Sequence, residues 1–503
     1  MPGINISTSV RTGPSSTTVR ESSQAFFVGK ALRGPTDTAV KISSIEEFEL
    51  NYGGYVNGYY LHPTVQTFFE EGGSQCYVAR AAHSGSPAAA TLLLKNSTNT
   101  VVTLTAVGTG AWANENGVDE LSAIVSTGTA TGTKVVKIYK NGNLIMSTGN
   151  CTTNQQIAGK INAHPEASLL CTATVNPTYA TSDLAALPST LAYFGATGYT
   201  AGADGTAPSD TELVDALELF TDAYGTGAVS CPESADINDD LIAHANSLHR
   251  IAILHADSGL DPNVAGDYAD LVAITQGIQS GDNGEHAAFY HPWIYVPTST
   301  DGVTRLIPPD GYAAGARARA HNSVGQHQPG AGVLSAAKFV TGVEYAIGSA
   351  VSDNLDSECV NAIRVINNTI RIYGARACSL DTTNFRYITG QDVLNYVVVE
   401  SYRELEDILF RPIDSRNEMF VAIKHRLRSI LEGLRQLGAL YEAFDTNGNR
   451  VDYGYSVQCD ASINPVAQLV DGTVTARVGL RVTGIGDTIQ VDIVKSSLTA
   501  SVV

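Results

Sequence analysis

Residues 288–332 read AFYHPWIYVPTSTDGVTRLIPPDGYAAGARARAHNSVGQHQPGAG. A β-rich run, a double proline, a small-residue helix start and a Gly/Pro loop follow one another in that order. Proline cannot donate to a ladder, so Pro292 and Pro297 either end a short buried strand over residues 293–296 or place it at a sheet edge. Pro308-Pro309-Asp310-Gly311 predicts a rigid turn just before a helix. Ala313, Ala314, Gly315, Ala316, Ala318 and Ala320 make that helix slim enough for another backbone to come close. Taken alone, this is the strand-turn-helix of any α/β domain.

Working outward, 503 residues exceed one ordinary domain and suggest three or four. A hydrophobic content of 43% with 47 glycines and 16% charged residues describes a folded, β-containing chain with a sizeable core. No apolar run reaches membrane-spanning length, and Met1-Pro2-Gly3-Ile4-Asn5 lacks the basic and apolar regions of a secretory signal, so a soluble protein outside the Sec route is expected. The net charge of −19 argues against direct nucleic-acid binding through phosphate neutralisation. Residues 1–350 hold −15 of it, which leaves the Arg-containing C-terminal part better able to face an acidic partner. Seven cysteines (Cys76, Cys151, Cys171, Cys231, Cys359, Cys378, Cys459) show no Cys-x-x-Cys pair and no metal-ligand spacing, and read as small buried hydrophobes in a reducing cytoplasm. A sharper alternative is that exposed members on neighbouring copies oxidise into intermolecular disulfides.

Along the chain, residues 3–22 are Ser/Thr-rich and polar and read as an arm. Ala25-Phe26-Phe27-Val28-Gly29 predicts a buried strand, residues 45–52 a short helix opening at Ser43 or Ser44, residues 62–71 a longer helix stopped by Gly72-Gly73, and residues 75–80 a strand. Residues 84–180 are rich in Thr, Val, Gly and Ala; candidate strands at 92–94, 101–106 and 134–139, the last turning at Asn141-Gly142, predict a small β-sandwich or barrel. Leu213, Ala216, Leu217 and Phe220 recur at helical spacing, residues 229–232 form a strand ending at Pro, residues 237–247 an amphipathic helix, and residues 250–256 an apolar strand suited to a parallel sheet.

Histidines in this α/β region prompt a search for catalysis. His244, His249, His255, His286 and His291 are candidate bases, with Asp257, Asp267, Asp270 and Asp282 as orienting acids. No Gly-x-Ser-x-Gly elbow, phosphate-binding Gly-rich loop, His-Glu-x-x-His or EF-hand pattern accompanies them, so nothing implies a cofactor or metal. A serine hydrolase stays an alternative because triads are defined by geometry.

Farther on, residues 393–409 read as a helix ending at Phe410-Arg411-Pro412, and residues 418–437 as an amphipathic helix. Phe420, Ile423, Leu427, Ile430, Leu431, Leu434 and Leu437 form one stripe of the latter. His425, Arg428, Glu432 and Arg435 lie on another face, flanked by Lys424 and Arg426; an ordinary solvated face fits this equally well. Residues 473–482 and 487–494 alternate with period two around Gly484-Ile485-Gly486.

These elements together resemble contractile phage tail sheath proteins of the myovirus type. The matching pieces are Tyr290-His291-Pro292-Trp293, Pro308-Pro309-Asp310-Gly311, Ala314-Gly315-Ala316-Arg317-Ala318-Arg319, the Gly-x-Trp-x-Asn turn Gly110 to Asn114, the Gly-x-Asp-Gly loop Gly202 to Gly205, and Tyr373-Gly374-Ala375-Arg376. Pro329-Gly330-Ala331-Gly332 departs from the family's Pro-Ala-Gly order, Ala377 stands where the family has Thr, and Phe410-Arg411-Pro412 replaces Phe-x-Pro-Asn.

The resemblance implies a multidomain α/β and α+β chain. It would comprise an extended arm (1–22), an α/β segment (23–83), an inserted all-β domain (84–185), a subtilisin-like α/β layer without an evident triad (186–350), an α+β C-terminal domain (351–483) and a strand arm (484–503). It implies no enzyme, but a virion tail subunit that polymerises as hexameric rings and contracts to drive the tube through the host envelope. The partners implied are further copies of itself, the tail tube, baseplate and tail terminator proteins. Ile4, Ile6, Val10, Val19, Ile489, Val491 and Ile493 would lie in strands donated to neighbours, with Gly484 and Gly486 as the hinge. Lys424, His425, Arg428, Glu432 and Arg435 would face the tube. A phage-derived injection apparatus fits the same residues.

Overall fold

A computed structural model of the chain describes residues 21–297, 303–413 and 416–487. Two compact units divide the chain, the first running to Val399 and the second beginning at Glu400.

The first unit opens with β1 (Ala25–Gly29), β2 (Val40–Ile42), α1 (Ile45–Tyr52), α2 (Leu61–Glu70) and β3 (Cys76–Arg80), all but β2 as the sequence predicts. Ser44 starts α1 by accepting the Glu47 N–H at 3.2 Å. A separate module follows: β4 (Thr91–Lys95), β5 (Thr100–Ala106), β6 (Leu121–Thr127), β7 (Lys134–Lys140), β8 (Asn143–Ser147), α3 (Asn154–Ala163), α4 (Ala167–Leu170), β9 (Cys171–Val175) and β10 (Ala192–Tyr193). The unit then returns with α5 (Asp210–Leu217), β11 (Ala228–Ser230), α6 (Asn238–Ser247), β12 (Ile251–Leu254), α7 (Ala265–Ser280), β13 (Ala287–His291), β14 (Ile294–Pro297), β15 (Thr304–Ile307), α8 (Asp310–Ser323), β16 (Gly342–Val343), α9 (Ser349–Ser357), β17 (Val360–Ile366) and β18 (Thr369–Tyr373).

Eight of these strands form one sheet in the order β18-β17-β13-β12-β11-β1-β3-β2. The six inner strands are parallel, and both edges are antiparallel. Buried on both faces, the inner strands carry continuous apolar runs. Phe27, Ile253 and Ala288 join a core beneath α1, α2 and α8, whereas their neighbours Phe26, Leu254 and Phe289 join another beneath α5, α6, α7 and α9. The period-two alternation of a strand thus builds both layers. β17 and β18, which the sequence reading places in the C-terminal domain, extend this sheet; Phe289 pairs with Val360.

Small residues in α8 do what their size suggests. A Cβ on Gly311 would lie 2.2 Å from the Thr64 carbonyl oxygen, and one on Gly315 would lie 2.9 Å from that of Phe68. The contact between α2 and α8 therefore depends on glycine. Glu71, wholly buried just past α2, accepts the N–H groups of Lys338, Phe339 and Val340 at 2.8–3.2 Å. Of the two readings of Pro292 and Pro297, the strand-end one holds: β14 is the central strand between β15 and β16.

The module is not all-β as expected. Its two sheets, β4-β5-β9 and β10-β6-β7-β8, share a core with α3, whose Ile157, Ala158 and Ile161 are buried beside Leu104 and Trp112. Thr153 caps α3 by accepting the Gln156 N–H at 3.2 Å. The i, i+1, i+4 apolar spacing was hidden by the Thr, Asn and Gln around it. β7 and β8 do turn at Asn141-Gly142, both with positive φ.

Helix α10 (Ile388–Glu406) carries the chain across Val399. In the second unit come α11 (Glu418–Gln436), β19 (Ala443–Phe444), β20 (Arg450–Asp452), β21 (Tyr455–Gln458), α12 (Val466–Val470) and β22 (Arg477–Leu480). The alternating run from residue 473 forms a shorter strand than expected. Asn464 brackets Thr475 through both amide atoms, at 2.6 and 2.9 Å, and turns the chain before the ladder with β21 begins. All seven cysteines are buried thiols, so no exposed sulfur is present to link copies.

Candidate functional site

Helix α11 organises the second unit. Phe420, Ile423, Leu427, Leu431 and Leu434 are buried along one stripe, and the first three pack with Ile408 and Cys459. Burial of that stripe leaves the opposite face to polar groups, as the spacing predicts. His425, Arg428 and Glu432 form one wall of an open groove of about 840 Å³. The other wall is Tyr453, Tyr455 and Val457, from and just before β21. Sequence reasoning missed this second wall; the signal was Tyr453-Gly454-Tyr455, where Gly454 has φ 76° and turns the chain from β20 into β21.

The five residues expected on the polar face have different environments. Arg428 and His425 are exposed and make no hydrogen bond or ion pair among the described residues. Lys424 is half-buried, close enough to Asp460 to help hold that carboxyl below its usual range after the Ser462 hydrogen bonds. Arg435 turns inward: its guanidinium reaches Glu442 at 2.8 Å and Glu432 through two nitrogens, one of them at 2.8 Å. Tyr455 donates to the same Glu432 carboxylate at 3.3 Å. Arg435 first, against the opposing effect of desolvation, holds the Glu432 carboxyl down to about 2. The Arg435–Glu432–Glu442 network is thus internal scaffolding, and Arg428, with His425 one turn before it, faces outward. Arg426 grips Glu404 at 3.0 Å and Asp407 at 2.6 Å, fastening α11 to the end of α10.

The proposed hinge residues follow directly on a paired threonine. Thr483 donates its N–H to Ala439 and its hydroxyl to Gly438, and Gly484 and Gly486 follow, exposed and free of neighbours a Cβ would meet. Ile4, Ile6, Val10, Val19, Ile489, Val491 and Ile493 lie outside the described residues.

In the first unit, the structure does not bring the catalytic candidates together. His255 Nδ1 meets Asp310 at 3.1 Å, an acid the sequence search did not consider, and both are sealed from solvent. His244 Nε2 accepts from Arg250 at 2.8 Å, and His286 contacts the Arg250 carbonyl and Gln391. None of Asp257, Asp267, Asp270 or Asp282 hydrogen-bonds to His244, His255, His286 or His291. Burial first, with Arg250 adding, pushes His244 down to about 3; burial also takes His291 down to about 4. Among the described residues no cluster of three or more His, Cys, Asp or Glu suits a metal, and no helix is long and apolar enough to cross a membrane.

Two loops singled out by resemblance do meet. Asn114, ending the Gly-Ala-Trp-Ala-Asn turn, and Asp204, in the Gly-Ala-Asp-Gly loop, each bond to the other loop's backbone. Likewise Asn361 pins the Gly374-Ala375-Arg376 turn, accepting the Arg376 N–H at 2.7 Å and donating to its carbonyl at 3.0 Å.

No protein-family model matches the sequence, and no curated protein matches it. Solved structures do. A sheath tail protein from Listeria innocua is similar at 13% identity, with 88% of this chain and 89% of that chain covered and a TM-score of 0.59. The sheath of an extracellular contractile injection system, PVC, in its contracted state matches over 99% and 98% of the two chains at 15% identity, TM-score 0.54. The contracted helical sheath of the anti-feeding prophage matches over 98% and 99% at 14% identity, TM-score 0.53. The chain has the fold of contractile sheath proteins. That sheath fold takes in both units, at identities where the likeness lies in backbone architecture.

Proposed function

We propose that this chain is the subunit of a contractile sheath that polymerises as hexameric rings around a tube and shortens to drive the tube through a host envelope. The observation that carries the reading is coverage: the match to assembled, contracted sheaths runs nearly end to end through both units. Contraction would be a rigid-body rearrangement of subunits, powered by relaxation of a metastable lattice and needing no ligand hydrolysis. The large sheet would correspond to the subtilisin-like layer, serving as framework without catalysis. The partners would be further copies, the tube, baseplate and terminator proteins. One of the matched structures is named an extracellular contractile injection system, one the helical sheath of a prophage and one a sheath tail protein, so the reading covers a virion tail and a phage-derived injection apparatus alike.

The chain ends would supply the links, with strands around residues 4–19 and 489–494 completing neighbours' sheets. Gly484 suits a hinge because it follows directly on Thr483, which is bonded to Gly438 and Ala439, and a Cβ there would meet no neighbour. Arg428 and His425 would face the tube. Exposed ion pairs contribute about 0–1 kcal/mol each, weak enough for a sheath that must release its tube. Negative-stain microscopy of purified protein tests the reading: striated hollow cylinders are expected. Deleting residues 484–503 should leave a folded monomer and no cylinders. Unaltered cylinders after that deletion would refute the linking role.

A further inference from the structure

The first turns of α10 rest on a polar seat that the proposed contacts with tube and neighbours do not use. Gln391, Asp392 and Asn395 are buried there. Arg250 and His286, also buried, immediately precede the paired strands β12 and β13. A carbonyl only accepts, so His286 Nδ1 donates to that of Arg250 at 2.8 Å. With the imidazole neutral, its Nε2 then accepts from Gln391 Nε2 at 3.0 Å. The same Gln391 nitrogen donates to Asn395 Oδ1 at 2.9 Å, and Asn395 Nδ2 donates back to the Arg250 carbonyl at 3.1 Å. Four groups thus close one hydrogen-bond circuit between α10 and the edge of the sheet.

The circuit closes only around a neutral imidazole. A proton on Nε2 would point at the Gln391 N–H. Turning the Gln391 amide over would bring its oxygen onto Asn395 Oδ1, and turning Asn395 as well would bring that oxygen onto the Arg250 carbonyl. Every arrangement leaves one buried pair mismatched, the costly case for a polar network. Burial is the main reason the ring resists its proton; the Arg250 carbonyl, Glu285 and Asp392 act the other way. His249, before β12, also feels the His286 charge. Of the other helices packed here, α6 turns His244 onto Arg250, and the last turns of α7, residues 274–280, carry no titratable side chain. His321 on α8 is a contrast: its Nε2 lies 3.4 Å from Asp392 Oδ2, an acceptor that a proton there would suit.

We propose that this circuit is a proton-operated latch: with His286 neutral it fastens the first turns of α10, and protonation of His286 releases them. The latch acts on the helix that carries the chain out of the first unit. It is a property of the single chain and does not rest on the sheath reading.

Hydrogen exchange of the full chain, corrected for the intrinsic pH dependence of exchange, tests this. An imidazole freed from the circuit takes its proton at the ordinary value of about 6.5, so protection over residues 389–397 should fall about tenfold from pH 7.5 to pH 5.5, beyond any change over α2. His286→Asn has no imidazole to protonate; the same residues should exchange faster at pH 7.5 and lose the pH dependence. His321→Gln should keep the parent's dependence. Protection in the parent that is flat with pH, or that falls only in step with α2, would overturn the latch whether or not either variant folds. So would a pH dependence that survives His286→Asn or disappears in His321→Gln. Cylinders seen by microscopy, present or absent, report on the sheath reading separately.

Discussion

Asn114 and Gly202, 88 residues apart, clasp each other through two hydrogen bonds: the Asn114 amide donates to the Gly202 carbonyl at 2.9 Å, and the Gly202 N–H donates to Asn114 Oδ1 at 2.7 Å. The Ala111 N–H adds a third bond, to Asp204 Oδ1 at 2.8 Å. A Cβ on Gly202 would fall 2.1 Å from the Gly110 carbonyl oxygen, so the loops touch backbone to backbone. The clasp joins the turn after β5 to the chain leaving the inserted module.

Asn114→Ala should therefore destabilise the module by about 1–3 kcal/mol, the cost of leaving two partly buried backbone groups unpaired. Urea unfolding followed at Trp112, buried in that module's core, measures it. The midpoint should fall with the slope unchanged. A midpoint shift smaller than the replicate scatter would mean the two loops hold together without the asparagine.

Stability should fall as the medium is acidified from about pH 6.5 towards pH 4. His244 is pushed down to about 3 and His291 to about 4, in both cases by burial first; His321 is also lowered, by burial and then Arg317. A histidine whose folded pKa is depressed binds its proton preferentially in the unfolded chain. Its contribution is complete above the unfolded value and is lost as pH drops through the interval below it. His244 illustrates the cause: its ring accepts from the Arg250 guanidinium at 2.8 Å, and protonation would set two cations against each other. His244→Gln should flatten the pH dependence of the urea midpoint between pH 6 and pH 4. An unchanged profile would remove His244 from the acid response.

Much of the fold was legible because local chemistry and tertiary demand agreed. Asn141-Gly142 makes the β7–β8 turn with both residues at positive φ, and the small residues of α8 admit the backbone of α2. Of the two serines the sequence offers as the start of α1, Ser44 is the one that caps it. What escaped depends on distant partners or masked patterns. Helix α3 hides its apolar positions among Thr, Asn and Gln, which predict turns as readily as helix. The acid beside His255 is Asp310, 55 residues away and read only as a turn residue. At the polar face of α11, the spacing identified the right side of the helix but not which arginine would be claimed by Glu442, seven residues on from Arg435.

That distinction between Arg428 and Arg435 separates two charge reversals that sequence alone treats as equivalent. Arg435→Glu would place a third carboxylate beside Glu432 and Glu442, where the guanidinium now satisfies both. The second unit should melt earlier, and assembly should suffer whether or not tube is present. Arg428→Glu changes an exposed group without an ion pair, so stability should move by no more than about 0.5 kcal/mol. Under the proposed assignment, that variant should still polymerise alone but co-sediment poorly with purified tube. The parent's tube binding should weaken as salt is raised, whereas the variant's should depend on salt less steeply. Calorimetry and co-sedimentation of both variants, with and without tube, distinguish the roles. If Arg428→Glu binds tube as the parent does at every salt concentration, this face of α11 does not meet the tube. If Arg435→Glu melts as the parent does, the inward network is not what holds the helix to the rest of its unit.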